Sequence, residues 1–160
     1  MGILKLYQTL VAPQYQMGNN IIDAAVNVTI TSAQVLALFA TPQTIVAAPG
    51  AGFALLFEGA LLHKPAGTAY GNVAVGDDIA IKYTSAAGLT VGSCETVGFL
   101  DASTAQTRFI RAHTAASGVS DITPAENAVL VVQILLTEVT DGTSPLLVRT
   151  FYRTVPTVLA

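Results

Sequence analysis

A long stretch without any charged residue, from Ala24 to Phe57, is the feature that most restricts what this chain can fold into. Charged residues make up 11% of the whole sequence, against about 25% in an average soluble protein. Hydrophobic residues make up 52% of the 160 residues, enough for a sizeable core. The surface must therefore be neutral and polar, or be covered by other subunits as charge-poor interfaces are. We favour the covered surface.

The charge balance and the length of the apolar runs exclude several classes of protein. Seven Lys and Arg residues against ten Asp and Glu give a net charge of −3, without a basic stripe that could neutralise nucleic-acid phosphates. No apolar run reaches the roughly 18 residues of a membrane span, since Gln133 interrupts the densest stretch, Ala128–Leu136. We therefore expect no nucleic-acid partner and no membrane association.

The N-terminal sequence and the single cysteine indicate where the chain is made. The opening residues, MGILKLYQTL, have one Lys and no long apolar run before a small-residue cleavage site, so they do not resemble a signal peptide. Cys94 is the only cysteine, so neither an internal disulfide nor a multi-cysteine metal site is expected. These features favour synthesis in a reducing cytoplasm.

Short apolar segments separated by turn residues predict an all-β protein. Val26, Val28 and Ile30 alternate with Asn27 and Thr29, with the period of two that is typical of a half-buried strand. Such strands, with turn residues every 8–12 residues or so, indicate a β-sandwich or a jelly-roll-like fold. The other predicted strands are Thr44–Ala47, Phe53–Leu62, Ile79–Tyr83, Leu89–Val91, Glu95–Leu100, Phe109–Ala112, Ala128–Leu136 and Leu147–Val155.

Three local patterns predict how the strands are connected. Thr31-Ser32 would cap a short helix over Ala33–Leu38, and Asp101–Arg108 predicts one or two further helical turns. Asp141-Gly142 is typical of a tight hairpin. We expect that hairpin to join the last two predicted strands.

We expect a single β domain over residues 26–160, preceded by an extended arm over residues 1–25. No sustained apolar period continues past Leu10 in this arm. Because ordering such a segment costs backbone entropy, we expect it to be ordered only against a neighbouring chain. The alternative is an ordinary flexible terminus. The apolar contact residues of the arm would be Leu4, Leu6, Tyr7, Leu10 and Tyr15.

The sequence contains few candidates for catalysis. His63 and His113 could each act as a base, but no GxSxG nucleophile elbow is present, and we expect neither to be catalytic. Cys94 has no obvious base beside it and no second thiol, so a buried, unreactive cysteine is expected. We therefore predict that the chain is not an enzyme.

Candidates for ligand binding are equally weak. Asp77, Asp78 and Asp101 are suitable ligands for a hard cation, but they lack the spacing of a calcium loop. Pro49–Gly52 superficially resembles part of a phosphate loop, without its GK[ST] ending, and predicts a tight turn instead. We expect no metal and no cofactor.

The final predicted strand carries the candidate interaction residues of the β domain. Arg149, Phe151 and Arg153 alternate with their neighbours and therefore share one face. The two arginines could pair with Glu58 or Glu138, or with an acidic group of a partner chain. Together with the apolar residues of the arm, Arg149 and Arg153 form the predicted partner interface.

Two stretches of the sequence occur in an order that is typical of one family. The first is ITSAQVLALFATPQTIVAAPGAG, from Ile30 to Gly52, and a GTAYGN loop follows it; the second is ENAVLVVQILLTEVTDGTSPLLVRTFYRTV, from Glu126 to Val155. The sequence resembles a group of small β-rich proteins of tailed bacteriophages, although its closing strand carries Pro145 and Leu146-Leu147 where that group has a plain G-T-L. The matching residues are Ala33, Leu36, Thr41, Pro42, Ala48, Pro49, Gly50, Gly52, Gly67, Thr68, Ala69, Tyr70, Tyr152 and Arg153.

The resemblance implies a structural protein of the virion. It implies a capsid decoration or cement protein that binds across neighbouring subunits of the major capsid protein, after synthesis in the host cytoplasm. We expect a homo-oligomer, with a trimer favoured, because multivalent binding multiplies weak contacts. The alternative is a head-fibre or tail-associated domain that recognises carbohydrate on the host surface.

Overall fold

Ten strands and one short helix make up the chain in a computed structural model, which describes residues 16–17, 20–21, 25–113 and 122–158. The strands form two antiparallel sheets that pack as a β-sandwich, so the predicted all-β fold is confirmed. The elements are β1 (Gln16–Met17), β2 (Asn20–Ile21), β3 (Val26–Ile30), α1 (Ser32–Leu36), β4 (Gln43–Val46), β5 (Phe53–Lys64), β6 (Asp78–Tyr83), β7 (Thr90–Glu95), β8 (Gln106–Arg111), β9 (Leu130–Ile134) and β10 (Leu146–Pro156).

The last strand, β10, organises the larger, six-stranded sheet. One side of β10 pairs with β5 along nearly its whole length. On its other side, β3 pairs with Leu146–Thr150, and β2 pairs at Thr154. β8 lies beyond β5, and β1 lies beyond β2. Because every pairing is antiparallel, alternate residues of each strand face the core and the opposite surface.

The smaller sheet has four strands in the order β4-β9-β6-β7. Every residue of β9 is buried, as its nearly continuous apolar sequence predicts for a central strand. The two sheets approach each other at β7 and β8, where the backbone N–H of His113 donates to the carbonyl of Val91 at 2.8 Å. This contact closes one side of the sandwich.

The core lies between the two sheets. Burial of each large apolar side chain contributes about 1.5–3 kcal/mol to folding, so these residues provide most of the stabilisation. The largest fully buried apolar side chains are Ile30, Leu38, Leu55, Phe57, Leu62, Ile79, Ile81, Phe99, Leu100 and Ile110.

The short helix α1 carries the chain from β3 in one sheet to β4 in the other. The Thr31 hydroxyl accepts from the Gln34 N–H at 3.3 Å, and the Gln34 side-chain carbonyl accepts from the Thr31 N–H at 2.8 Å. This capping box satisfies two backbone donors at the start of the helix. Val35 and Leu38 then fill the end of the core. The predicted cap at Thr31 is confirmed.

Two loops pack closely at one end of the sandwich, around Tyr70. The Tyr70 hydroxyl donates to the carbonyl of Ser144 at 2.5 Å, and its ring lies against Gly142. A Cβ atom at Gly142 would lie 2.2 Å from the ring, so only glycine fits there. Gly71 and Thr140 form an isolated antiparallel bridge beside it. The GTAYG segment is therefore part of the scaffold.

The predicted hairpin at Asp141-Gly142 is wrong. β9 precedes this turn and β10 follows it, and these two strands belong to different sheets. The turn therefore carries the chain across the sandwich. Asp141 adopts a left-handed φ of 68°, while the absent side chain of Gly142 makes room for Tyr70.

The segment between β7 and β8 also differs from its prediction. Thr96–Leu100 is a turn rather than a strand, with a left-handed φ of 73° at Gly98. The predicted helical turns over Asp101–Arg108 do not form, because Gln106–Arg111 pairs with β5 as strand β8. The Asp101 carboxylate instead accepts from the Gly98 N–H at 2.6 Å and holds the turn.

Substituting Gly142 tests the packing of the two loops. We expect Gly142→Ala to lower the free energy of unfolding by about 2–4 kcal/mol, because the new methyl group overlaps the buried Tyr70 ring. Gly76→Ala is the control, since Gly76 has a left-handed φ of 83° but open space around it. That control should lose only about 1 kcal/mol. Urea denaturation measures both values, and equal losses would contradict the proposed packing.

The buried tyrosines predict instability at alkaline pH. Burial raises the pKa of Tyr70 and of Tyr83 from 10.0 to about 12. Because the unfolded chain loses these protons first, the stabilisation is complete below pH 10 and is lost as the pH rises towards 12. Each group accounts for up to about 2–3 kcal/mol. Urea denaturation measures the free energy of unfolding at pH 9 and at pH 11.5. The loss of this free energy between the two pH values should be smaller for Tyr83→Phe than for the unaltered chain.

Candidate functional site

The solvent-facing side of the six-stranded sheet carries aromatic and arginine side chains from two strands, β8 and β10. Residues that lie directly opposite one another in neighbouring strands share a face. One such row across the sheet is Asn27, Arg149, Leu61 and Phe109. We call this surface the arginine–aromatic face. It comprises Asn27, Thr29, Leu56, Glu58, Gly59, Leu61, His63, Thr107, Phe109, Arg111, Leu147, Arg149, Phe151 and Arg153.

The pair of aromatic rings on this face depends on a glycine in β5. Gly59 lies between Phe151 on one side and Arg111 on the other. The Phe109 ring occupies the space that a side chain at Gly59 would need, since a Cβ atom there would lie 2.9 Å from the ring. The Phe109 and Phe151 rings are tilted, with centroids 6.3 Å apart. Phe109 is 56% exposed, although it is a large apolar residue.

Two arginines of the face, Arg149 and Arg153, each contact another side chain of the face. The Arg149 guanidinium lies 5.5 Å from the centre of the Phe151 ring, a cation–π distance. Arg153 forms an ion pair with Glu58, with 2.5 Å between Nε and Oε1. A register shift in the pairing of β5 with β10, between Phe151 and Tyr152, precedes this pair. The sequence-based pairing of Arg153 with Glu58 is thereby confirmed.

The charge of the arginine–aromatic face is opposite to that of the rest of the described chain. The face has three arginines and one glutamate, whereas the remaining described residues include three basic and seven acidic side chains. Because opposite charges attract two proteins to each other before they touch, this basic face favours a partner with an acidic surface. Its exposed apolar groups add area that a partner could bury.

An open groove crosses the same face near β3. Its lining includes the apolar side chains of Leu61 and Leu147 and the polar side chains of Asn27, His63 and Arg149. The His63 imidazole Nδ1 is 2.9 Å from the hydroxyl of Thr107, so the ring is fixed across β5 and β8. The groove therefore combines apolar and polar lining groups.

The two histidines are not brought together with a nucleophile and an acid. His63 lies on the arginine–aromatic face, whereas the His113 ring accepts from the Ser93 N–H of β7 at 3.0 Å. Cys94 is half-buried in β7. Burial, with the nearby Asp78 carboxylate, raises the pKa of the Cys94 thiol to about 12, and this value leaves it a thiol at neutral pH.

The buried charged residues act within the scaffold. Asp77 is fully buried, and its carboxylate accepts from the Leu136 N–H at 2.9 Å and from the Thr137 N–H at 3.3 Å. Burial lowers the pKa of Lys64, and the Asp101 carboxylate opposes this shift. Among the described residues, no group of three or more His, Cys, Asp or Glu side chains could hold a metal ion.

The glycine-rich segment after β4 is a turn, as predicted. Gly50 and Gly52 have left-handed φ values of 102° and 80°. The Gly52 N–H donates to the Glu126 carboxylate at 2.7 Å, and the Gly50 N–H donates to the Asn127 side chain at 3.0 Å. These backbone donors are occupied by the protein itself, so the turn has a structural role.

The structure locates only part of the predicted partner interface. Arg149 and Arg153 lie on the arginine–aromatic face. Phe109 and Arg111 lie there too; both fall in the predicted strand Phe109–Ala112, but neither was among the predicted interface residues. The alternation of Thr107, Phe109 and Arg111 was the available signal. The predicted arm residues Leu4, Leu6, Tyr7, Leu10 and Tyr15 lie outside the described residues.

Comparison of the chain with family models, with curated proteins and with solved structures found no significant match. No helix in the described part of the chain is long and apolar enough to cross a membrane.

Two neighbouring residues of β8 test whether the arginine–aromatic face is free of a structural role. Phe109 faces outwards and is 56% exposed, whereas Ile110 faces the core and is 1% exposed. We expect Phe109→Ala to cost less than about 1 kcal/mol of stability and Ile110→Ala to cost about 2–5 kcal/mol. Chemical denaturation measures both. A large loss from Phe109→Ala would show that the face is needed for folding.

Proposed function

We propose that this chain is a structural component of a bacteriophage virion, a capsid decoration protein that binds the assembled shell through the arginine–aromatic face. The observation that carries the proposal is this exposed, basic and aromatic surface on an otherwise acidic chain. The order of the sequence motifs supports the virion role, since it resembles that of small phage structural proteins.

The role requires adhesion rather than chemistry. Aromatic and arginine residues are enriched at the centres of protein interfaces, where they contribute much of the binding energy. Phe109, Phe151 and Arg149 form such a cluster. A protein that binds the assembled shell and not its dissociated subunits shifts the equilibrium towards the shell.

The low charge of the chain supports an oligomer on the capsid surface. The uncharged segment Ala24–Phe57 forms β3, α1 and β4 and continues into β5. A surface built from these elements loses little hydration energy when another subunit covers it. We propose a trimer that binds neighbouring major capsid subunits, so that several weak contacts act together.

A carbohydrate-binding module of a head fibre or tail is the second candidate. The groove beside β3 supports it, because its leucine side chains and the polar groups of Asn27, His63 and Arg149 suit the apolar face and hydroxyl groups of a sugar. This function would use a smaller area than attachment to a capsid. Glycan binding by the isolated chain would distinguish it from decoration.

Particle binding by paired variants tests the proposal. We expect Phe109→Ser with Arg149→Ala to weaken binding to capsids that lack this chain by about tenfold or more, because both side chains belong to the cluster around Phe151. The matched control is Leu136→Ser with Lys82→Ala, in which Leu136 is also 56% exposed but lies outside this face. Co-sedimentation with capsids measures the binding.

The control variant should bind as the unaltered chain does. Equal binding by both double variants would contradict attachment through the arginine–aromatic face. Native mass measurement of the isolated chain tests the oligomer, and a monomer at micromolar concentration would contradict the proposed trimer.

A further inference from the structure

Two outward-facing leucines on neighbouring strands form an apolar surface in the groove of the arginine–aromatic face. Leu147 of β10 is 39% exposed, and Leu61 of β5 is half-buried. Leu61 lies opposite Arg149, so it is the diagonal neighbour of Leu147. Long side chains at diagonal positions of antiparallel strands are within reach of each other. Because both leucines line the groove, one aliphatic side chain of a partner could cover both.

A positive charge lies at a defined spacing from this apolar surface. Arg149 follows Leu147 by two residues on β10, so the two side chains leave the same side of the sheet about 6.5 Å apart. The Arg149 guanidinium lies over the Phe151 ring, and this contact restricts the side chain. Arg149 also lines the groove. A carboxylate of a partner that lies along β10 would therefore meet a positioned guanidinium.

Polar side chains flank β10 on both sides of the groove. On β3, Asn27 lies opposite Arg149, and Thr29 lies opposite Leu147. On β5, His63 lies opposite Leu147. The amide, hydroxyl and imidazole groups can each donate or accept hydrogen bonds, as the backbone of an extended peptide requires. The groove is therefore suited to a polypeptide segment that runs along β10.

The size of the groove favours one side chain of a larger partner. Its volume is about 210 Å³, whereas sites for small molecules typically have about 300–1,000 Å³. Phe109 lies in the same row as Leu61 and Arg149 and is 56% exposed. A protein partner would fill the groove with one side chain and cover the exposed ring with its neighbouring surface.

We propose that the groove binds an extended segment of the partner protein in which an aliphatic residue and an acidic residue are separated by one residue. The aliphatic side chain lies against Leu61 and Leu147, and the carboxylate pairs with Arg149. Leu-x-Glu is one such sequence. The inference rests on the proposed function for the identity of the partner, and it adds the chemistry by which that partner is recognised.

The spacing gives the groove its selectivity. In an extended segment, residues i and i+2 point to the same side and are about as far apart as Leu147 and Arg149 on β10. Adjacent residues point to opposite sides, so a Leu-Glu pair places only one of its two side chains in the groove. A charge-assisted hydrogen bond to the guanidinium adds to the apolar contact only in the first case. Composition alone is therefore not sufficient for binding.

Four peptides with blocked termini, titrated into the isolated chain, test this selectivity. The probe is GSLSEGS, and its controls are GSLESGS, with the same composition in another order, GSLSQGS, without the charge, and GSASEGS, without the aliphatic side chain. We expect the probe to bind at least about threefold more tightly than each control, because each control loses either the ion pair or the apolar contact. NMR chemical-shift titration measures the dissociation constants. The largest shifts should occur at Leu61, His63, Leu147 and Arg149.

Two matched variants assign the charge preference to one arginine. Arg149→Gln should bind GSLSEGS and GSLSQGS equally, because it lacks the guanidinium that distinguishes them. Lys82→Gln also removes one positive charge, but it lies on β6 in the other sheet. It should therefore keep the preference of the unaltered chain. The NMR spectra of both variants also establish that they are folded.

Several outcomes would overturn the proposal. Equal binding of the four peptides, no binding of any of them, or an unchanged charge preference in Arg149→Gln would each do so. Shifts at Leu61 and Leu147 on dilution of the chain alone would assign the groove to a second copy. Shifts there with methyl glycosides but not with the peptides would assign it to carbohydrate.

These measurements need no capsid, so they are independent of the co-sedimentation test of the face. A chain that binds capsids but none of the peptides would contradict the occupant of the groove and leave the proposed function intact. A chain that selects GSLSEGS but does not bind capsids would support the chemistry of the groove and contradict the proposed function.

Discussion

The pairing of β5 with β10 is the constraint on which the rest of the structure depends. Ten residue pairs join these two strands, and β3, β2 and β8 add to their free sides. Because side chains alternate with a period of two, a slip of one residue would exchange the core with the solvent-facing surface. This single register therefore places Leu62 and Val148 in the core and Leu61 and Arg149 on the arginine–aromatic face.

Two glycines allow aromatic rings to pack directly against the backbone of this structure. Gly59 leaves room for the Phe109 ring beside Phe151 on the outer surface. Gly142 leaves room for the Tyr70 ring between two loops at the end of the sandwich. The first glycine shapes the proposed contact surface, while the second allows the GTAYG segment to pack as part of the scaffold.

The distribution of charge connects the fold with the proposed role. The overall net charge is −3. The charges are unevenly distributed, because the outer face of one sheet is basic and the remaining described residues are mostly acidic. The uncharged stretch from Ala24 to Phe57 supplies neutral surface. Both features fit the proposed role, in which the chain binds a partner of the opposite charge.

Local pattern by itself determined the all-β class, the capped helix at Thr31, the turn at Pro49–Gly52 and the shared face of Arg149 and Arg153, because periodicity and turn chemistry involve residues close in sequence. The tertiary structure alone decided which strands pair. It extended the strand predicted at Phe109–Ala112 back to Gln106, where helical turns were expected. It also placed the turn at Asp141 between the two sheets instead of in a hairpin, and added Phe109 and Arg111 to the candidate site. The physical reason is that strand partners are selected by burial and hydrogen bonding between residues far apart in the chain, and a local propensity as weak as that of Asp101–Arg108 is overridden by them.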